Sequence, residues 1–239
     1  MKYEDFLELL KYRRSIRRFK PDPIADEYVT KILDAARYSM SGANSQSWAF
    51  IVVKDPETRK KLFDVYTNHH DGDWYLEQMR APEYRHPALN TPAEDKHKFL
   101  GWLDEPVVIA VLDDPRKHFA RVQRAFQLPA DQYIGLSMGH LSMVLHLAAA
   151  SLGLGSQRVD MSMHQQPLRE ILGYPEPLLL NVLVPIGYRA YEPGPPQRWP
   201  LEEFIHFERY DMSKYLRDED FLKYISRVRK SQAADWPKE

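Results

Sequence analysis

Arg13, Arg14, Ser15, Ile16, Arg17 and Arg18 place four cations and a hydroxyl within six residues. A phosphate monoester carries nearly two charges and three strong acceptor oxygens. The planar fork of arginine meets such oxygens bidentately. A second segment follows at Ser39-Met40-Ser41-Gly42-Ala43-Asn44-Ser45-Gln46-Ser47-Trp48. Its small residues let backbone approach a ligand closely, and Asn44 and Gln46 each offer a donor and an acceptor suited to an imide edge. Taken singly, the first segment also fits a solvated helix end, and the second a polar turn. Together they point to a bound, phosphate-bearing cofactor.

Composition limits the alternatives. The chain has 239 residues, 44% hydrophobic and 28% charged, with a net charge of −1. No overall field favours nucleic acid or an anionic membrane, so the arginine cluster suits a small anion. There is no cysteine, which excludes disulfides, thiolate nucleophiles and cysteine-held clusters. Any electrons must travel on an organic cofactor. No metal-ligand spacing appears, and no stretch is long and apolar enough to span a bilayer. The acidic start, Met1-Lys2-Tyr3-Glu4-Asp5, lacks the apolar core of a signal peptide, so cytoplasm is the expected compartment.

The elements that must position these residues follow from periodicity. Phe6, Leu9 and Leu10 predict a helix from Tyr3 to Arg13 that ends in a turn. Asp26 reads as the N-cap of a helix carrying Val29, Ile32, Leu33 and Ala36 and ending near Ser39. Strands are expected at Trp48–Lys54, Pro106–Leu112, Leu154–Val159 and Leu178–Ile186. Short helices are expected at Glu57–Tyr66 and His164–Leu172. Tyr133–Leu152 reads as a helix apolar nearly all round, hence buried in a core or an interface. Its histidines, His140 and His146, read as packing residues. Residues 68–101 show no clean period and read as a lid loop rich in aromatics. The tail after residue 200 alternates aromatics with charges and cannot build its own core. The expected fold is α+β (mixed α/β), a central, mostly antiparallel sheet flanked by helices. The expected division is one domain over 1–200, with the lid at about 68–101 and a C-terminal extension over 201–239 that packs on the body or a partner subunit.

These segments, in this order, resemble the nitroreductase family of flavoproteins. The resemblance implies FMN as cofactor. Its phosphate and pyrimidine edge would be held by Arg13, Arg14, Ser15 and Arg17, and the family's second loop is similar to Met40, Ser41, Gly42, Ala43, Asn44 and Gln46 through Trp48. Both prolines of the family loop are replaced, by Met40 and Ser47, which predicts a looser loop. A Gly-Leu-Gly segment leads to Arg158, Val159 and Asp160, whose backbone would face flavin N5 and O4. Arg198, before Trp199-Pro200-Leu201, would reach the phosphate. Arg17 is the candidate for tuning the flavin, and Asp160 is a candidate proton donor, its alternative being an ion pair with Arg158. The resemblance further implies a homodimer with FMN at the interface, with NAD(P)H as a visiting substrate.

The Ser41-Gly42-Ala43 triplet is similar to the iodotyrosine deiodinase-like branch. That branch clasps an amino-acid zwitterion through an acid, a tyrosine four residues on and a later lysine, which maps onto Asp71, Tyr75 and Lys96. Trp74 and Tyr75 would otherwise stack on any aromatic acceptor. Three functions compete: an NAD(P)H-driven reductase of nitroaromatics, quinones or related acceptors; a reductive dehalogenase or other enzyme of halogenated or phenolic substrates; and a flavin-binding module without turnover.

Overall fold

The computed structural model describes residues 2–86, 90, 106–118 and 130–235. Helix α1 (Tyr3–Tyr12) carries Glu4 and Asp5 in its first turn and Lys11 in its last, complementing the helix dipole. Helix α2 spans Asp26–Ala36. Ala25 is its N-cap, so Asp26 is the first helical residue and not the cap; its carboxylate pairs with Lys54. Strand β1 (Trp48–Val53) leads into α3 (Pro56–Gln78). After β2 (Val107–Asp113) and the short α4 (Pro115–His118) comes α5 (Ala130–Ser151). Strands β3 (Gly155–Ser156) and β4 (Val159–Asp160) precede α6 (Gln165–Leu172), β5 (Leu179–Gly187) and finally α7 (Phe221–Asp235).

The strands form one sheet ordered β1-β2-β5-β3, with β4 also paired to β5, and every pairing between named strands is antiparallel. Alternation explains why β2 is buried throughout. Val108, Ala110 and Leu112 face a core completed by Leu62 and Tyr66 of α3 and Leu168 of α6. Val107, Ile109 and Val111 face a second core made by Ile32 of α2 and Met138, Leu141, Leu145 and Ala149 of α5. A sheet covered on both faces gives strands that read as unbroken apolar runs. On β5 the alternation slips: Val111 opposes Val182 while Leu112 opposes Leu180. Asn181 is therefore the extra residue of a β-bulge. The bulge adjoins Val182, the partner of Asp160.

Two helix ends set the course of the chain toward the site. Gly153 follows α5 with φ +75, and the Leu154 N–H reaches back to the Ala149 carbonyl. Gly173 ends α6 with φ +70. Both positions need the left-handed backbone that glycine adopts without penalty.

By its internal contacts the chain divides into two compact units. The first comprises Met1–His69 and Leu100–Tyr191, and holds the sheet. The second comprises His70–Phe99 and Glu192–Glu239. Two expected boundaries change. The helix expected to end at Tyr66 runs 23 residues to Gln78, because no proline interrupts it before Pro82 and pairs such as His70–Asp73 support it. The first part of the expected lid loop is thus helical. The tail also carries a helix, α7, whose Arg229 Nε donates to the Tyr84 carbonyl at 3.0 Å. Within the same unit Arg227 forks onto Glu203 at 2.8 and 2.6 Å and lies 3.8 Å above the Trp199 ring. The tail's apolar residues stay open: Phe204, Phe207, Tyr210 and Tyr215 are all more than half exposed.

Candidate cofactor site

The arginine segment does not turn back on itself. Arg13 caps α1 in an extended conformation. Ser15 then forms a parallel bridge with Ser156 of β3. The Ile16 N–H donates to the Ser156 carbonyl at 3.0 Å. Farther on, Phe19 bridges Arg189. The segment is stitched to the sheet because Ile16 and Phe19 are core residues, both essentially buried, which turns the intervening polar residues outward. Gly155 makes the close approach possible: a Cβ there would stand 2.9 Å from Ile16 side-chain atoms. Two segments far apart in sequence, Arg13–Arg17 and Gly155–Asp160, therefore lie edge to edge.

Within this edge the residues differ in role. Arg14 is buried, Arg13 and Arg17 are half-buried, and Ser15 is exposed. The Arg17 N–H donates to the Tyr191 hydroxyl at 3.4 Å. Val159 is buried, so only its backbone is available. Asp160 Oδ2 pairs with Arg158 at 3.4 Å. Its Oδ1 accepts from the Ser162 N–H at 3.1 Å and hydroxyl at 2.8 Å. Burial pushes this carboxyl up, but the Ser162 bonds and Arg158 outweigh it and hold it below the usual carboxylate range. Asp160 is thus an ionised partner of Arg158, the alternative its neighbour offered, and not a poised acid.

The second loop is held under strain. Ala43, Asn44 and Gln46 have φ of 50, 52 and 45. Three left-handed non-glycine residues in four positions are costly, and such outliers collect at ligand-binding backbone. Ser41 closes the loop: its carbonyl accepts from the Asn44 N–H at 3.0 Å and its hydroxyl oxygen from the Gln46 N–H at 3.0 Å. The Gly42 N–H reaches Ser137 of α5 at 3.4 Å. The two residues that replace the family prolines differ in their surroundings. Met40 is 69% exposed. Ser47, by contrast, is fully buried; its hydroxyl donates to the buried Asp113 carboxylate, and its carbonyl accepts from the Asp114 N–H at 2.9 Å. A hydrogen-bonded clamp stands where the family loop has proline.

Both segments rest on α5, but at different heights. The loop meets Ser137, and the arginine edge meets His146, whose Nδ1 lies 2.8 Å from Ser156 Oγ. Nine residues of helix separate these contacts, about 13 Å along the axis. Of the two histidines expected to pack, His146 does so, buried and hydrogen-bonded, and His140, which is exposed, does not. His146, Ser156, Ser137 and Asp113 were not identified as site residues, since nothing in their sequence spacing ties them to the motifs.

The remaining candidates belong to the second unit. Asp71, Trp74 and Tyr75 lie on α3, where the four-residue spacing puts Asp71 and Tyr75 on one helix face. Trp74 and Tyr75 stack edge to face at 5.1 Å. Arg198 is exposed, with its guanidinium on the Gln197 carbonyl at 2.6 Å. Lys96 lies outside the described residues. Among the described residues no cluster of three or more metal-binding side chains occurs, and no helix is long and apolar enough to cross a membrane.

The antiparallel sheet with helices on both faces is an α+β architecture, with an arginine edge beside a glycine-led strand. The sequence profile of the nitroreductase family matches residues 10–188. The chain belongs to that family and is an oxidoreductase. It is 30% identical over 204 residues to an NADH dehydrogenase of Thermus thermophilus, covering 81% of this chain and 91% of that one. It is 25% identical to iodotyrosine deiodinase 1 of Rattus norvegicus, covering 79% of this chain but 63% of the relative's length. Nitroreductase A of Vibrio parahaemolyticus shares the fold, with a TM-score of 0.67 at 20% identity over 95% of this chain and 84% of that one.

The residues present fit the flavin that the family binds. Guanidinium groups and a hydroxyl suit a phosphate, and the strained loop offers backbone to a flat ring edge.

Proposed function

We propose that the protein is an FMN-dependent oxidoreductase that takes electrons from NAD(P)H and delivers them to small aromatic acceptors such as nitroaromatics or quinones. The observation that carries this reading is the Ser15–Ser156 bridge, which sets the arginine segment beside the Gly155–Asp160 strand. Bound FMN would supply hydride and electron transfer. Arg13, Arg14 and Ser15 would hold the phosphate. Arg17 would stabilise negative charge at the N1–C2=O edge of the ring, favouring reduction. The backbone at Arg158, Val159 and Asp160 would face N5 and O4. Asn44 and Gln46 would read the imide edge, with Met40, Ser41 and Gly42 lining the approach. Asp160 takes part through its N–H, its carboxylate being engaged by Ser162 and Arg158.

A homodimer with FMN at the interface accords with two features. Helix α1 has no buried residue, and Leu136 and Met143 of α5 are exposed at 61% and 43%. The offset of about 13 Å between the loop and the arginine edge on α5 also leaves room for a second copy to supply its own loop.

The test is direct. Purified protein should be yellow and release FMN on denaturation, and NADH or NADPH should bleach it anaerobically. Steady-state data with a quinone should give the parallel lines of ping-pong kinetics. Colourless protein that gains no activity from added FMN sinks the proposal.

A second reading has two supports: Asp71 and Tyr75 share a helix face, and the chain is similar to iodotyrosine deiodinases. It expects reductive dehalogenation of halotyrosines. Turnover of a halotyrosine that survives replacement of both Asp71 and Lys96 counts against this clasp.

A further inference from the structure

His146 is buried in α5, with 7% of its surface exposed. One ring nitrogen, Nδ1, meets Ser156 Oγ at 2.8 Å. The other, Nε2, is buried without a hydrogen-bond partner. Ser156 in turn accepts the Ile16 N–H and bridges Ser15. A single side chain thus connects the central helix to the strand on which the arginine segment is laid. Two cations act on the ring, Arg13 from the end of α1 and Arg158 from the β3–β4 connection. Arg158 is itself paired with Asp160.

We propose that His146 is the positioning residue of the phosphate-binding wall: it fixes Ser156, and through it Ser15 and Ile16, while adding no charge between Arg13 and Arg158. The inference rests on the FMN reading above. The residue type follows from the chemistry of the place. A lysine or arginine would crowd a third cation against two. An aspartate or glutamate would bond Ser156 but neutralise the arginines and compete with the ligand. A neutral imidazole bonds Ser156 and adds no charge of its own beside the two guanidinium groups. Burial, then Arg13 and Arg158, push its pKa down to about 4, which keeps it neutral in the working range.

Apo-protein titrated with FMN and, separately, with riboflavin tests the proposal, because riboflavin lacks only the phosphate. His146→Ala and His146→Glu should each weaken FMN at least tenfold, Glu the more, while riboflavin changes less than threefold. His146→Gln, which retains a hydrogen-bonding group, should recover most of the FMN affinity. In the unmutated protein, FMN should raise the His146 pKa followed by nitrogen-15 NMR by a unit or more, since an arriving dianion offsets the two cations. Riboflavin should not. Equal losses of FMN and riboflavin affinity, or a His146 pKa indifferent to FMN, would overturn the proposal. If the unmutated protein shows no preference for FMN over riboflavin, the cofactor reading fails first and this inference falls with it.

Discussion

At the scale of single residues, the site is defined by backbone strain and by which charges are already engaged. Ala43 is the least natural of the three left-handed residues, having neither glycine's freedom nor asparagine's local hydrogen bonding. Ala43→Gly should stabilise the apo-protein by about 1 kcal/mol, read from urea denaturation. No gain would mean that the loop relaxes out of this conformation in solution. Asp160 makes the opposite point. Its carboxylate is held ionised by Ser162 and Arg158, so it has no proton to give near neutrality. Asp160→Asn should leave the pH profile of turnover unchanged between about pH 6 and 8, and a lost alkaline limb in that range would restore it as a proton donor.

At the scale of elements, the working unit is an irregular sheet edge. The chain from Gly155 to Asp160 follows β5 in two short pieces, and the Asn181 bulge shifts the register opposite the second. The first piece carries the arginine segment through Ser156, and Gly155 permits that approach. Gly155→Ala would force a Cβ against Ile16, a buried core residue that cannot swing away. Overpacking of this kind costs about 1–3 kcal/mol. The variant should therefore unfold at lower denaturant and bind FMN at least tenfold more weakly than the unaltered protein. Retained affinity would show that the two segments need no exact spacing. The Ser47–Asp113 clamp belongs to the same scale, tying the end of the second loop to the last residue of β2 where the family loop relies on proline.

At the scale of the whole molecule, His146 links the site to stability. Its folded pKa of about 4 lies below the ordinary 6.5, so the unfolded chain binds the proton more readily. Stability from this group is full above about pH 6.5 and is lost as pH falls toward 4. The size is on the order of 3 kcal/mol over that window. Unfolding free energy measured from pH 7 to 4 should fall accordingly, and His146→Gln should flatten the slope. A slope unchanged in the variant would assign acid sensitivity to other groups. Exposed apolar residues on α1, on α5 and along the tail are the surface that the proposed second copy would cover. A mass independent of concentration and equal to one chain would remove the dimer.

The fold was largely legible because its signals are local. Apolar runs such as Trp48–Val53 and Leu179–Gly187 declare strands, and Gly173 marks a helix end. The spacing of Arg13, Ser15 and Arg17 carries the likeness to the family's phosphate-binding segment. The extension of α3 to Gln78 is hidden in the sequence because aromatic and histidine residues blur its period, and α7 because charges interrupt its apolar positions. The partners of the site were not legible at all. That Ser15 lies on Ser156, that Ser47 is locked by Asp113, and that His146 stands under the arginine edge all depend on which strands pair and which helix covers them. The sequence by itself determined the family, since its motifs are local runs of residue type and spacing that match the family's profile. Only the tertiary structure decided how those motifs are held, since contacts across 66 to 141 positions, from Ser47–Asp113 to Ser15–Ser156, leave no period along the chain.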